Sequence, residues 1–371
     1  MFGSGSPGEG PVSEVSERVP TVDPDTAPLM VPGPSPVLSR AGAVAGEGID
    51  AAVAAHYGNP LREQRLLVEG LAVVDLSHRG VVTISGPDRL SWLNSITTQL
   101  ITGLAPRTSM ETLVLSPRGH IEHDLHLVDD GQTTWATVEP GTAGALVSWL
   151  ESMRFMLRVK VLDVSADYAV IGEPMRAETA TGEPPAWTDP WPLMVGDTAA
   201  YSAVTDPARH PGSERPWREL IVPRDELQSA FGDRPLAGMW AAEALRVAAW
   251  RPRLGFETDQ RTIPHEVDWL RTAVHLHKGC YRGQETVARV HNLGRPPRRL
   301  VFLHLDGSGH VLPERGAEVE AAGRVVGRLT SVARHHELGP IALAVIKRNT
   351  PLEAVCTAAG VSAAQEEVVP G

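Results

Sequence analysis

Lys278-Gly279-Cys280-Tyr281-Arg282-Gly283-Gln284-Glu285 packs a nucleophile, two glycines and four polar groups into eight residues. The glycines stand one residue before the cysteine and three after it. Such spacing lets the backbone turn tightly and approach a bound molecule without side chains in the way. Lys278 is placed to lower the thiol pKa. Gln284 and Glu285 add donor and acceptor groups nearby. The residues that follow, to near Val290, are hydrophobic and β-prone. Taken by itself, the string also fits a surface turn around an inert, buried cysteine.

The complete string resembles the KGCYxGQE signature of the YgfZ-like proteins. These are folate-binding relatives of the glycine-cleavage aminomethyltransferase that act in iron–sulfur cluster assembly and repair. The resemblance runs from about His56 to Lys347. It is carried further by His56-Tyr57-Gly58 with Glu63, by Asp75 to Asp88 (DLSHRGVVTISGPD), and by Gly327-Arg328-Leu329-Thr330-Ser331. It implies an α+β protein of the aminomethyltransferase-like folate-binding fold: two α+β domains plus a C-terminal β-barrel domain around a central cavity, with Cys280 on its rim. The implied cofactor is tetrahydrofolate or a related folate, with no stably bound metal. The implied partners are iron–sulfur client enzymes or assembly proteins, notably radical enzymes that modify tRNA. By the same resemblance Cys280 is the catalytic residue. Lys278, Gly279, Tyr281, Gly283, Gln284, Glu285, Arg246, Trp250 and Asp124 are the folate-binding set.

Two departures from the transferase pattern stand out. Where the transferase has LRxExG, with a glutamate that grips the pterin, this chain has Leu245-Arg246-Val247-Ala248-Ala249-Trp250. Alanine replaces the glutamate, and Trp250 fits either stacking on a pterin or ordinary core packing. Where the transferase has GxxxDD, this chain has Gly119-His120-Ile121-Glu122-His123-Asp124, keeping one of the two aspartates. On these grounds the chain is expected not to be a conventional aminomethyltransferase. Arg246 and Arg289 are candidates to face the glutamate tail of a folate. Asp75, Ser77 and His78 fit turn caps as well as a cavity lining.

Composition narrows the classes. With 371 residues the chain is long enough for two or three domains. A formal charge of −11 argues against attraction to nucleic acid or anionic membrane. No apolar run has the ~20 residues of a membrane span, and no basic-then-apolar leader is visible, so a cytoplasmic protein is expected. Two cysteines, Cys280 and Cys356, are too few for a four-cysteine cluster or zinc site. Cys356, in an apolar run, reads as a buried structural thiol.

Along the chain, residues 1–45 are rich in Pro, Gly, Ser and Glu and are expected to be a disordered tail. Residues 46–165, with 238–293 returning, make the folate-binding α+β domain. Ile49, Ala52, Val53 and His56 recur at helical spacing. Residues 166–237 make a second small α+β domain. It contains a Pro-rich excursion with Trp187 and Trp191, which either bind a partner or anchor their own loop. Residues 294–371 break into short strands with Gly and Asp at the turns, and form the barrel.

The function expected from the sequence is tetrahydrofolate binding in assembly or repair of iron–sulfur clusters, using the loop cysteine. A folate-dependent aminomethyltransferase and a non-catalytic folate-binding scaffold are the alternatives.

Overall fold

The computed structural model describes residues 33–177, 182–309 and 311–371. Up to residue 32 the expected disordered tail lies outside them. Ser35 caps a single helical turn, Pro36–Ser39, by accepting from the Val37 N–H. Strands β1 (Val44–Ala45) and β2 (Ala54–His56) pair antiparallel. The helical spacing at Ile49, Ala52, Val53 and His56 thus yields only a turn, Gly48–Asp50, and a strand. Val53, Ala54 and Ala55 in succession are buried, and such a continuous run is not a one-sided helix face. Helix α1 (Pro60–Val68) begins after Asn59, whose side chain accepts from the Arg62 N–H.

The chain continues through β3 (Val73–Asp75), β4 (Gly80–Ser85), α2 (Arg89–Ile96), β5 (Ser109–Leu115), β6 (Ile121–Asp129), β7 (Thr133–Val138), α3 (Ala143–Met153) and β8 (Lys160–Asp163). Five of these strands form an antiparallel sheet in the order β5-β6-β7-β4-β8. The alternation along β6 sorts its residues by face. Leu125 and Leu127 are buried in one core with Ile84, Leu93, Leu146 and Leu150 from β4, α2 and α3. Each such leucine contributes roughly 1.5–3 kcal/mol. Asp124 and His126 occupy the other face, which looks into the middle of the molecule.

A second sheet is built from β9 (Tyr168–Glu173), β10 (Ala186–Thr188), β11 (Arg218–Pro223) and, after α4 (Leu227–Phe231), β12 (Leu236–Ala237). Its order is β10-β11-β9-β3-β12, so β3 crosses into it from the first segment. Trp187 and Trp191 are buried, and Trp191 donates to the Ala249 carbonyl. Both anchor the Pro-rich excursion on the body of the protein.

Helices α5 (Met239–Ala248), α6 (Leu270–Ala273) and α7 (Gln284–Leu293) follow. Helix α7 occupies the run that reads as β-prone. Gly283 turns the chain in the left-handed region, and of the helix's residues only Val287 is buried. That fits a helix lying on a surface rather than a strand's alternation. The C-terminal strands β13 (Arg298–Leu305), β14 (Glu318–Ala321), β15 (Arg324–His335), β16 (Gly339–Lys347), β17 (Cys356–Ala358) and β18 (Val361–Glu367) close into a barrel, β13-β16-β15-β14-β17-β18. Cys356 lies in its interior with Val301, Leu303, Val319 and Ile346. The outer face of the barrel packs through Phe302, Leu343 and Val345 against Val247, Trp250 and Leu270. The α+β fold with a closed C-terminal barrel is therefore as read. No helix among the described residues is long and apolar enough to cross a membrane.

Candidate active site

A cleft lies where the inner faces of the two sheets meet α5 and the segment after it. Counted to its open mouth it holds about 510 Å³. Its walls are charged. Arg79 comes from the turn before β4, Asp124 and His126 from β6, Glu219 from β11, Arg246 from α5, and Arg251 and Arg253 from the segment after α5.

Strand register explains the central group. Glu111 on β5, His126 on β6 and Thr137 on β7 stand directly opposite one another across three strands. His126 Nε2 is 3.2 Å from the Asp124 carboxylate and 4.0 Å from Glu111. Its Nδ1 is 3.0 Å from Glu219. Glu219 also accepts from the Thr137 hydroxyl at 2.5 Å and from Arg79 at 2.7 Å. Burial opposes charge on the imidazole, but Glu219 and Asp124 outweigh it and push its pKa up to about 10. His126 is therefore an imidazolium at neutral pH. Burial likewise works against the Glu219 carboxylate, yet Arg79 and His126 hold it well below the usual carboxylate range. Burial raises the Glu111 carboxyl, despite the opposing pull of Arg251.

Arginines tie the walls together. Arg79 bridges Glu139 and Glu219. Arg253 reaches Asp50, Glu139 and Glu243. Arg251 pairs with Glu111 at 2.6 Å and Asp189 at 3.2 Å. Arg246 binds Glu243 and Glu257 and donates to the Ser331 hydroxyl of the barrel. Four buried polar atoms in or beside the cleft, Glu111 Oε2, Asp124 Oδ1, Arg215 Nε and Arg251 Nη1, have no hydrogen-bond partner among the described residues. Leaving such a group unpaired costs about 1–3 kcal/mol. A polar molecule in the cleft would satisfy them.

The structure separates the residues singled out in the sequence into two groups. Asp124 and Arg246 line the cleft. Trp250 is buried in the core between Phe302 and His210. The loop 278–285 contributes no lining residue to this cleft among those described. Lys278 sends its ammonium to the carbonyls of Asn94, Thr97 and Gln99 at 2.5–2.8 Å, fastening the loop to the end of α2. Burial lowers its pKa to about 8. Tyr281 is buried 5.5 Å from that ammonium. Gln284 Nε2 lies 3.5 Å from the Lys278 carbonyl. Gly283 presses on the turn at Ser116 and Gly119, whereas Gly279 faces open space. Cys280 and Glu285 are exposed.

Sequence reading missed Arg79, Glu111, His126, Glu219, Arg251 and Arg253. One signal was available for His126. Asp124 and His126 alternate with Leu125 and Leu127, which places two ionisable groups side by side on the face opposite the core. Asp75, Ser77 and His78 are structural neighbours of the cleft: Asp75 caps its own turn, and His78 binds Asp50 at 2.9 Å.

Residues 35–172 match the GCVT N-terminal domain, and residues 298–368 match the glycine cleavage T-protein C-terminal barrel domain. The chain belongs to the glycine-cleavage T-protein superfamily. Its relatives in that superfamily include a protein of Arabidopsis thaliana named as a chloroplastic transferase, 26% identical over 71% of this chain. The match spans 62% of that protein's own length. The aminomethyltransferase of Moorella thermoacetica is 27% identical, covering 79% of this chain and 83% of its own. In fold, the chain is similar to the glycine cleavage system aminomethyltransferase T from Bartonella henselae, with a TM-score of 0.68 over 90% of this chain and 95% of that one, at 17% identity.

These matches correct the expectation that the chain departs from the conventional aminomethyltransferases. Its departures were read from two short motifs, while relatives carrying that name align over most of the chain. The cleft also shows why those motifs mislead. The missing acids at positions 123 and 248 do not leave it without carboxylates, because Asp124 on β6, Glu219 on β11 and Glu243 on α5 line it.

Proposed function

We propose that the chain is a folate-dependent aminomethyltransferase whose central cleft takes tetrahydrofolate. The observation that supports this most is the set of unpaired polar atoms buried in and beside the cleft of a T-protein fold. A pterin carries a row of donors and acceptors along one edge of a flat ring. Asp124 and Glu111 offer acceptors to that edge, Arg251 and Arg215 offer donors, and Trp187 and Trp217 give the cleft aromatic walls. When bound, tetrahydrofolate supplies the nitrogen that receives the one-carbon unit. The chain's part is to bind, orient and hold charge. The His126 imidazolium, fixed between Asp124 and Glu219, keeps a proton inside a cleft whose lining carboxylates and arginines otherwise balance. Arg79 and Arg253 hold those carboxylates in place, which reduces the reorganisation needed when charge shifts on a bound molecule.

The test is turnover of an aminomethyl-lipoyl donor with tetrahydrofolate, paired with a direct folate titration. Ammonia release that depends on tetrahydrofolate, and is lost in Asp124→Asn with folate affinity reduced, is the expected result. Absence of both folate binding and turnover in the wild-type protein would overturn the proposal.

A second reading rests on a different observation. Cys280 is exposed in an intact KGCYxGQE string, in which Lys278, Tyr281 and Gly283 hold the loop. It favours a cysteine-dependent role in supporting iron–sulfur enzymes. In a deletion strain, Cys280→Ser that restores the activity of those enzymes as well as the wild type does would exclude this reading.

A further inference from the structure

A second cleft, of about 870 Å³ when also counted to its open mouth, opens between the β5–β6 turn, the segment before Ile263 and the first turns of α7. Arg118, Arg261 and Arg289 stand around it with His120, over a floor that includes Ile263 and Pro297. All three arginines are exposed. None of their guanidinium groups makes an ion pair among the described residues. The carboxylates that would neutralise them are used elsewhere. Arg298 holds Asp259 at 2.6 Å and Glu266 at 2.8 Å, and Arg282 holds Glu122 at 3.1 Å. Glu285 lies on the rim one helical turn before Arg289, yet the two do not pair among the described residues. The buildup of like charge also shows on His120, whose pKa falls through burial first and Arg118 second.

Three unpaired guanidinium groups around one concavity repel each other, and the chain as a whole carries −11, so nothing in its overall balance calls for them. Guanidinium forks match the oxygens of phosphates and carboxylates in shape and charge. We infer that this cleft is a binding site for a multivalent oxyanion, the phosphate or carboxylate groups of a small molecule. The inference stands on the cleft alone and not on the folate reading. Its position gives it a structural link to the first cleft. His120, at the second cleft, and Asp124, at the first, lie four positions apart, about 13 Å of extended chain.

The experiment is isothermal titration of the full chain at low ionic strength with two probes, tripolyphosphate and tri-γ-glutamate. The double variant Arg118→Gln/Arg289→Gln is compared with wild type and with Arg324→Gln, an exposed arginine on the barrel. Each lost guanidinium–oxyanion contact weakens binding about tenfold, so the double variant is expected to bind about a hundredfold more weakly. Arg324→Gln should bind as the wild type does. Tighter binding of tripolyphosphate assigns the site to a phosphate-bearing ligand, and tighter binding of tri-γ-glutamate to a polycarboxylate. The inference is overturned if neither probe binds the wild type, or if the double variant binds as tightly as Arg324→Gln. Surface positions make both variants compatible with folding, which an unchanged melting temperature checks.

Discussion

The imidazole of His126 lies flat against the indole of Trp187, with ring centroids 3.6 Å apart and planes within 5° of parallel. The stack closes one side of a charge that carboxylates close on two others. It makes the proton on His126 part of the folded structure. A histidine pKa raised on folding contributes stability that is complete below the unfolded value of ~6.5 and is lost as pH rises through the folded value, here about 10. Unfolding free energy measured by urea denaturation should therefore decline between pH 7 and 10, by on the order of a few kcal/mol. His126→Gln should be less stable at pH 7 and show a flatter profile. Equal slopes in the two proteins would mean that His126 is neutral when folded.

Arg79 is the brace of the same group, bonded to Glu139 and Glu219 at once. Arg79→Ala removes one of the two counter-charges from each of two buried carboxylates, leaving Arg253 with Glu139 and His126 with Glu219. Breaking a buried pair in this way costs about 3–5 kcal/mol. The shift in urea midpoint checks it, and a loss below 1 kcal/mol would show that water replaces the guanidinium freely.

The two glycines flanking Cys280 should behave in opposite ways. Gly283 sits at φ +81°, and a Cβ there would fall 2.5 Å from the Ser116 carbonyl oxygen. Gly283→Ala should destabilise by more than about 1 kcal/mol. Gly279 has neither a positive φ nor any atom within 4 Å of an added Cβ. Gly279→Ala should stay within about 0.5 kcal/mol of wild type. Thermal melts of both variants separate a backbone requirement from a requirement at the thiol.

The two thiols should titrate as two populations. Cys280 is exposed and Cys356 is fully buried in the barrel. A chromogenic disulfide reagent should label one thiol in the native protein and the second only on unfolding. Fast labelling of both would place Cys356 outside a stable barrel.

The barrel and the sheets were legible because alternation and turn residues mark them: Leu300 to Leu305, Val325 to Ser331 and Ile341 to Ile346 are all strands. Helix α7 was not, because valines at 287 and 290 carry β propensity while the left-handed Gly283 and one-sided burial decide for a helix. The site was legible only in part. Asp124 and Arg246 were found through their neighbours in sequence. Glu111 and Glu219 became neighbours of His126, and Arg251 of Glu111, only through strand register and the pairing of distant segments, which no local spacing encodes. The loop at Cys280 drew attention by its composition, yet most of its polar groups hold the loop itself.

Glu257 accepts from Thr330 and Ser331 of β15 while it binds Arg246 of α5. The cleft wall is thus locked by residues that leave the ribosome well after the sheets that frame it. Until β15 arrives, Arg246 and Glu257 face each other without their hydroxyl partners, and the core shared by Trp250, Phe302 and Leu343 is open. The cleft is therefore completed late in synthesis, and a nascent chain halted before residue 330 carries both sheets but an unfinished cleft.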